Sequence, residues 1–169
     1  MTKVERLRQA FQKQLGSSRG DHMEQTHTEE RTVPRQPRVL LVDDNELLAR
    51  VTAEFMRDRG LEVQVAYTGR EALSIVGTFQ PEIVLCDLRL PDVMGIDVAS
   101  QLRKDPITSN ALFVLHTAYS ETDFDAGSIP DVDLVLSKPL TEEKLETLLE
   151  LSRRPRTKTR SAATSRPEG

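Results

Sequence analysis

The sequence predicts an α/β domain in which a parallel sheet carries helices on both of its faces. Two observations lead there. Five short apolar runs alternate with five stretches of helical periodicity between residues 38 and 151, and the runs are apolar at consecutive positions, as strands buried on both sides are. A third observation gives the fold a purpose: acidic and polar residues gather at the carboxyl ends of the runs, where ligands bind in such sheets.

The elements follow in order. The first strand is "RVLLVDD", residues 38 to 44. In "NELLARVTAEFMRDRG", Leu47, Leu48, Val51, Phe55 and Met56 fall on one helical face, with Asn45 as N-cap and Gly60 as C-cap. Next come the strand "LEVQVAY", the short helix "REALSIVGTF" and the strand "EIVLCD". A helix is expected near Ile96 to Lys104, then the strand "ALFVLHT", an ill-formed helix near Glu121, and the strand "DLVLS". The last helix starts at Thr141, with Glu142 and Glu143 in its first turn and Arg153 and Arg154 just past its end, signs that suit the macrodipole.

At 169 residues and 37% hydrophobic, the chain has room for one domain of sizeable core with tails. Residues 16 to 37 and 152 to 169 combine Gly, Ser, Thr, Pro and charge, the composition of disorder. Ahead of the first linker, Val4, Leu7, Phe11 and Leu15 recur at helical spacing, so Thr2 to Gln14 are expected to form a short amphipathic helix, either a fraying tail or a docking element. The expected layout is therefore a tail and linker over 1–37, a folded domain over 38–152 and a basic tail over 153–169. No apolar run approaches the ~20 residues of a membrane span and no signal peptide is evident, so a cytoplasmic location is expected.

Charge is unevenly spread: Arg38 to Leu151 holds 10 Lys and Arg against 21 Asp and Glu, or −11, while residues 1–37 carry 7 against 5 and residues 152–169 carry 6 against 1. An acidic body argues against DNA as the main partner. The single cysteine, Cys86, sits inside an apolar run and reads as packing. His22 and His27 lie in the linker, and His116 reads as a strand residue facing a helix.

The strand ends carry Asp43 and Asp44, Asp87, Thr117, and Lys138 followed by Pro139, all on one rim. Asp87 is notable because it ends the run Ile83 to Cys86, where a further apolar residue would be expected. Three close carboxylates repel unless a cation neutralises them, and hard oxygen donors without a His/Cys cluster suit Mg²⁺. A lysine and a hydroxyl beside them can each contact a phosphoryl oxygen. The set is equipped for phosphoryl transfer onto a carboxylate.

With "VLLVDDNE", "DLRLPDVMG", "HTA" and "SKPL" spaced over about Arg38 to Leu151, the chain resembles the receiver domain of two-component response regulators. The resemblance implies a (βα)5 sheet in the flavodoxin-like strand order, with Asp87 as phosphoacceptor. It further implies Asp43, Asp44, Asp87 and the backbone carbonyl of Arg89 around Mg²⁺, Thr117 as switch hydroxyl, Lys138 bonded to the phosphoryl group, and a cis Lys138–Pro139 peptide. The donor it implies is a phosphohistidine on a sensor histidine kinase or a histidine phosphotransfer protein. Since only a short basic tail follows Leu151, output is expected through a downstream protein partner or onward relay.

Departures are visible too. Val135 stands three residues before the lysine, where the family commonly has an aromatic residue that couples phosphorylation to output, and Gly127 and Pro130 disfavour a fourth helix. Arg89 and Tyr119, two residues after Asp87 and Thr117, flank the expected path of attacking water, and their bulk is expected to slow hydrolysis. Two alternative functions remain at this stage. An aspartyl-phosphate, Mg²⁺-dependent phosphatase would carry a second acid where this chain has Arg89. An unphosphorylated docking scaffold would usually have lost a key acid, lysine or hydroxyl, all of which are present.

Overall fold

A computed structural model describes residues 35–119 and 129–154. Its elements are β1 (Arg38–Val42), α1 (Glu46–Arg57), β2 (Glu62–Ala66), α2 (Gly69–Phe79), β3 (Ile83–Cys86), α3 (Gly95–Lys104), β4 (Leu112–Thr117), β5 (Leu134–Ser137) and α4 (Glu142–Ser152). All four strand pairings are parallel and the order is β2-β1-β3-β4-β5. This is the expected doubly wound sheet, in the flavodoxin-like order. The amphipathic stretch at residues 2–14, most of both tails and the ill-formed helix expected near Glu121 lie outside the described residues.

Alternate strand residues feed two cores, one on each face of the sheet. Leu40, Val42, Val84, Cys86, Phe113 and Leu115 pack with Ala72, Val76 and Phe79 of α2 and Val98, Ala99 and Leu102 of α3. On the other face Val39, Leu41, Ile83, Leu85 and Val114 meet Ala49, Ala53 and Met56 of α1 and Leu145 and Leu148 of α4. Every residue of β3 is fully buried because β3 has a strand on each side and helices above and below. Burial of each large side chain contributes about 1.5–3 kcal/mol.

Side chains cap the starts of α1, α2 and α4. Asn45 Oδ1 accepts from Leu48 N–H at 3.1 Å, Thr68 Oγ1 from Glu71 N–H at 3.1 Å, and Thr141 Oγ1 from Lys144 N–H at 3.4 Å. Gly60 takes a left-handed φ of 79° and turns the chain from α1 into β2.

One sequence expectation is corrected in α1. Leu47 and Val51 are 73% and 59% exposed, while Ala49, Thr52, Ala53 and Met56 face the sheet. Two helical stripes overlap here, and the stripe of small residues is buried because it lets the helix backbone approach the strands closely. Phe55, half-buried beneath the Arg59 guanidinium at 3.7 Å, marks the border between the stripes.

At the pole remote from the carboxyl ends, Arg103 braces α3 to the starts of β4 and β5. It pairs with Asp133 at 2.6 Å and donates to the carbonyls of Ser109 and Ala111 at 2.9 and 2.8 Å, while Asp133 also accepts from Phe113 N–H at 2.7 Å. The scaffold is thus tied at one end and leaves the other for chemistry.

Candidate functional site

Strand register delivers the site residues. Beyond β1 and β3 the ladder continues by one bond, Asp87 N–H to the Val42 carbonyl at 2.8 Å, so Asp87 stands beside Asp43. Beyond β4 and β5 it continues from Lys138 N–H to the Thr117 carbonyl at 2.7 Å, which places Lys138 on the same rim. The Lys138–Pro139 peptide is cis. Lys144 of α4 buttresses this corner, its ammonium donating to the Ser137 carbonyl and hydroxyl at 2.6 and 2.8 Å.

The ammonium of Lys138 bridges two carboxylates, Asp43 Oδ2 at 2.6 Å and Asp87 Oδ2 at 2.9 Å. Burial pulls the lysine pKa down, but the hydrogen bonds and negative charges of Asp43 and Asp87 outweigh it and hold the group above the usual lysine value. Asp43, buried, spends its other oxygen on Asn45 N–H at 2.9 Å. Asp44, exposed, joins them: carboxylate oxygens of Asp43, Asp44 and Asp87 all lie within 4.8 Å of one another. One ammonium shared by two of three acids leaves an acid-rich cluster of hard oxygens, the donor set of Mg²⁺ rather than of zinc.

Arg89 lies on a short hairpin after Asp87. Gly95 N–H donates to the Leu88 carbonyl at 2.8 Å and Leu90 N–H to the Val93 carbonyl at 3.2 Å, pairing Arg89 with Met94 and leaving the Arg89 carbonyl outside the ladder. Its guanidinium lies 5.8 Å from the centre of the Tyr119 ring. Thr117 is buried at the end of β4, and its hydroxyl accepts from Tyr119 N–H at 3.4 Å. Val135 is buried in the core against the α2 and α3 face.

Two neighbours of the site are inert. Cys86 is fully buried, and burial first, then the charges of Asp87 and Asp43, push its thiol far above the usual range against the opposing charge of Lys138. His116 is buried on the face shared by α1 and α4 and kept neutral, its pKa lowered to about 4 by burial first and by Lys138 next. Sequence reasoning had no means of seeing the Lys144 buttress, or the part of Asp92, whose carboxylate takes the N–H groups of Gly69 and Arg70 at 2.9 Å each. The signal for Asp92 lay only in its place within "LPDVMG", and its partners lie 22 and 23 residues away.

Fold and site together define a doubly wound α/β protein whose carboxyl rim holds an acidic, lysine-bridged cluster of hard oxygen donors. Residues 39–150, more than half of the chain, match the family described as the response regulator receiver domain, and the chain belongs to that family. Among relatives, the DNA-binding response regulator MtrA of Mycolicibacterium paratuberculosis is 36% identical over 109 residues, covering 64% of this chain and 47% of that protein. The chain spans less than half the length of the curated relatives it matches first. A CheY-like receiver domain from Methylobacillus flagellatus superposes with a TM-score of 0.63 at 26% identity, covering 70% of this chain and 99% of that one. The response regulator TrrA of Thermotoga maritima, solved in complex with Mg²⁺-BeF, gives 0.60 at 27% identity, covering 69% and 99%. No helix among the described residues is long and apolar enough to cross a membrane.

Proposed function

We propose that this chain is the phosphoaccepting module of a phosphorelay and that Asp87 is the acceptor. The observation that carries the reading is the ammonium of Lys138 shared between Asp43 and Asp87, with Asp44 completing the acidic cluster. Lys138 holds Oδ2 of Asp87, and Oδ1 accepts from no donor among the described residues. That oxygen attacks the phosphorus of a phosphohistidine; the O–P bond forms, the N–P bond breaks, and its electron pair returns to the imidazole. Lys138 then stands within reach of a phosphoryl oxygen as a point charge, and Thr117 supplies a hydroxyl donor from β4. Asp43, Asp44, Asp87 and the Arg89 carbonyl would hold Mg²⁺, as the Mg²⁺-BeF complex of TrrA encourages. The metal, when bound, offsets negative charge on the transferred group.

The phosphoryl donor is a sensor histidine kinase or a histidine phosphotransfer protein, and the module, spanning residues 38–152, acts in the cytoplasm as a signalling part rather than a turnover enzyme. Its acidic body points output toward a protein partner rather than DNA. The acids, hydroxyl and lysine are all retained, which favours this reading over a docking scaffold, and Arg89 in place of a second acid disfavours a phosphatase. The test is incubation with Mg²⁺ and a small acyl or amido phosphate donor, read by intact mass. Addition of one phosphoryl group to the parent and none to Asp87→Asn is expected; no addition to the parent overturns the reading in favour of the scaffold.

A further inference from the structure

We propose that Asp92 is a positioning residue for the site: it pins the hairpin after Asp87 to the N-terminus of α2 and so holds the Arg89 carbonyl where the metal is read to bind. This inference rests on the metal reading above. The base of the hairpin is fixed by the Asp87 bond to Val42, and by Gly95, which lies so close that a Cβ there would collide with the Asp87 carbonyl oxygen. Among the described residues the apex has one backbone bond of its own, Leu90 N–H to the Val93 carbonyl at 3.2 Å, and Leu90 and Val93 pack against the core without fixing the direction of the backbone between them.

Asp92 adds a directional constraint to that packing. Its two oxygens take one N–H each, Gly69 and Arg70, both at 2.9 Å; these are the first two residues of α2, whose amides have no partner within the helix. The positive end of the helix dipole favours the carboxylate, and the bonds from Arg70 and Gly69 hold its pKa below the usual aspartate value, so it stays ionised at neutral pH. Gly69 makes the approach possible, because a Cβ there would collide with Val93 at the apex. Since α2 is seated on the sheet through Ala72, Val76 and Phe79, the apex is referenced to the core.

Arg89 thus lies between two anchors, and its carbonyl is ordered before any cation arrives. Without Asp92 that ordering must be bought at the moment of binding, which weakens affinity. Thr68 offers a discriminating control. Its hydroxyl caps the same helix through Glu71 N–H and makes no hydrogen bond to the hairpin among the described residues.

The experiment is a MgCl₂ titration of the full chain followed by ¹H–¹⁵N chemical shifts, with thermal unfolding alongside, for the parent, Asp92→Ala, Asp92→Asn and Thr68→Ala. Asp92→Ala is expected to raise the Mg²⁺ Kd on the order of tenfold, the low end for residues that orient a metal ligand. Asp92→Asn, with one acceptor oxygen left, falls between, and it decides the matter if the alanine variant does not fold. Thr68→Ala lowers Tm and leaves Kd unchanged. An unchanged Kd in the Asp92 variants overturns the inference alone, as does an equal loss in Thr68→Ala. A parent that binds no Mg²⁺ overturns the metal reading and this inference with it.

Discussion

Acidification should destabilise the fold through His116. Its ring is 1% exposed, Nε2 has no hydrogen-bond partner among the described residues, and its pKa is lowered from 6.5 to about 4, by burial first, then by the Lys138 charge, with Asp43 opposing and Lys144 adding. In the unfolded chain the same ring takes its proton near 6.5. Between 6.5 and about 4 the unfolded state therefore binds a proton that the folded state rejects, so stability declines as pH falls through this window and is intact above it. At about 1.36 kcal/mol per pH unit, the loss is about 3 kcal/mol once both states are protonated, a large share of the ~5–15 kcal/mol typical of a domain. Urea unfolding at about pH 7.5 and about pH 4.5, in the parent and in His116→Leu, isolates the effect. The parent is expected to lose about 2.5 kcal/mol more than the variant across that interval. A difference under about 0.5 kcal/mol would refute the reasoning, since it would mean that the ring is protonated inside the fold at little cost.

Three further outcomes are expected. Lys138→Met leaves Asp43 and Asp87 facing each other without their cation; thermal unfolding should show a loss of about 3 kcal/mol, and MgCl₂ should recover more stability in the variant than in the parent. Phe113→Ala opens a cavity in the core beside α2 and α3 and should cost about 3–5 kcal/mol by urea titration. In the phosphorylated protein, loss of label should be faster for the Arg89→Ala, Tyr119→Ala double variant, because that pair stands together beside the rim; an unchanged half-life would show that the two side chains do not screen the acyl phosphate from water.

Much of the site could be read before any coordinates. Alternating two-sided apolar runs require a parallel sheet, a parallel sheet puts all carboxyl ends on one rim, and the residues at those ends are Asp43, Asp44, Asp87, Thr117 and Lys138. Their convergence is therefore a consequence of topology. The packed face of α1 could not be read in the same way. Hydrophobicity favours the stripe through Leu47 and Val51, but close packing against a sheet rewards the smaller stripe through Ala49 and Ala53, and only the contact with β1 and β2 decides between them.

The same boundary separates the rest. By itself the sequence determined the alternation of strands and helices, the cap at Asn45, the start of the last helix at Thr141, and the acids and lysine on one rim, because each depends on chemistry within a few residues or on the direction of the strands. Tertiary structure alone decided that one ammonium spans Asp43 and Asp87, that Lys144 props the strand carrying Lys138, and that Asp92 ties the Arg89 hairpin to α2. These contacts join segments separated in the chain, and their formation turns on ångström-scale distances that the packing of helices on the sheet sets.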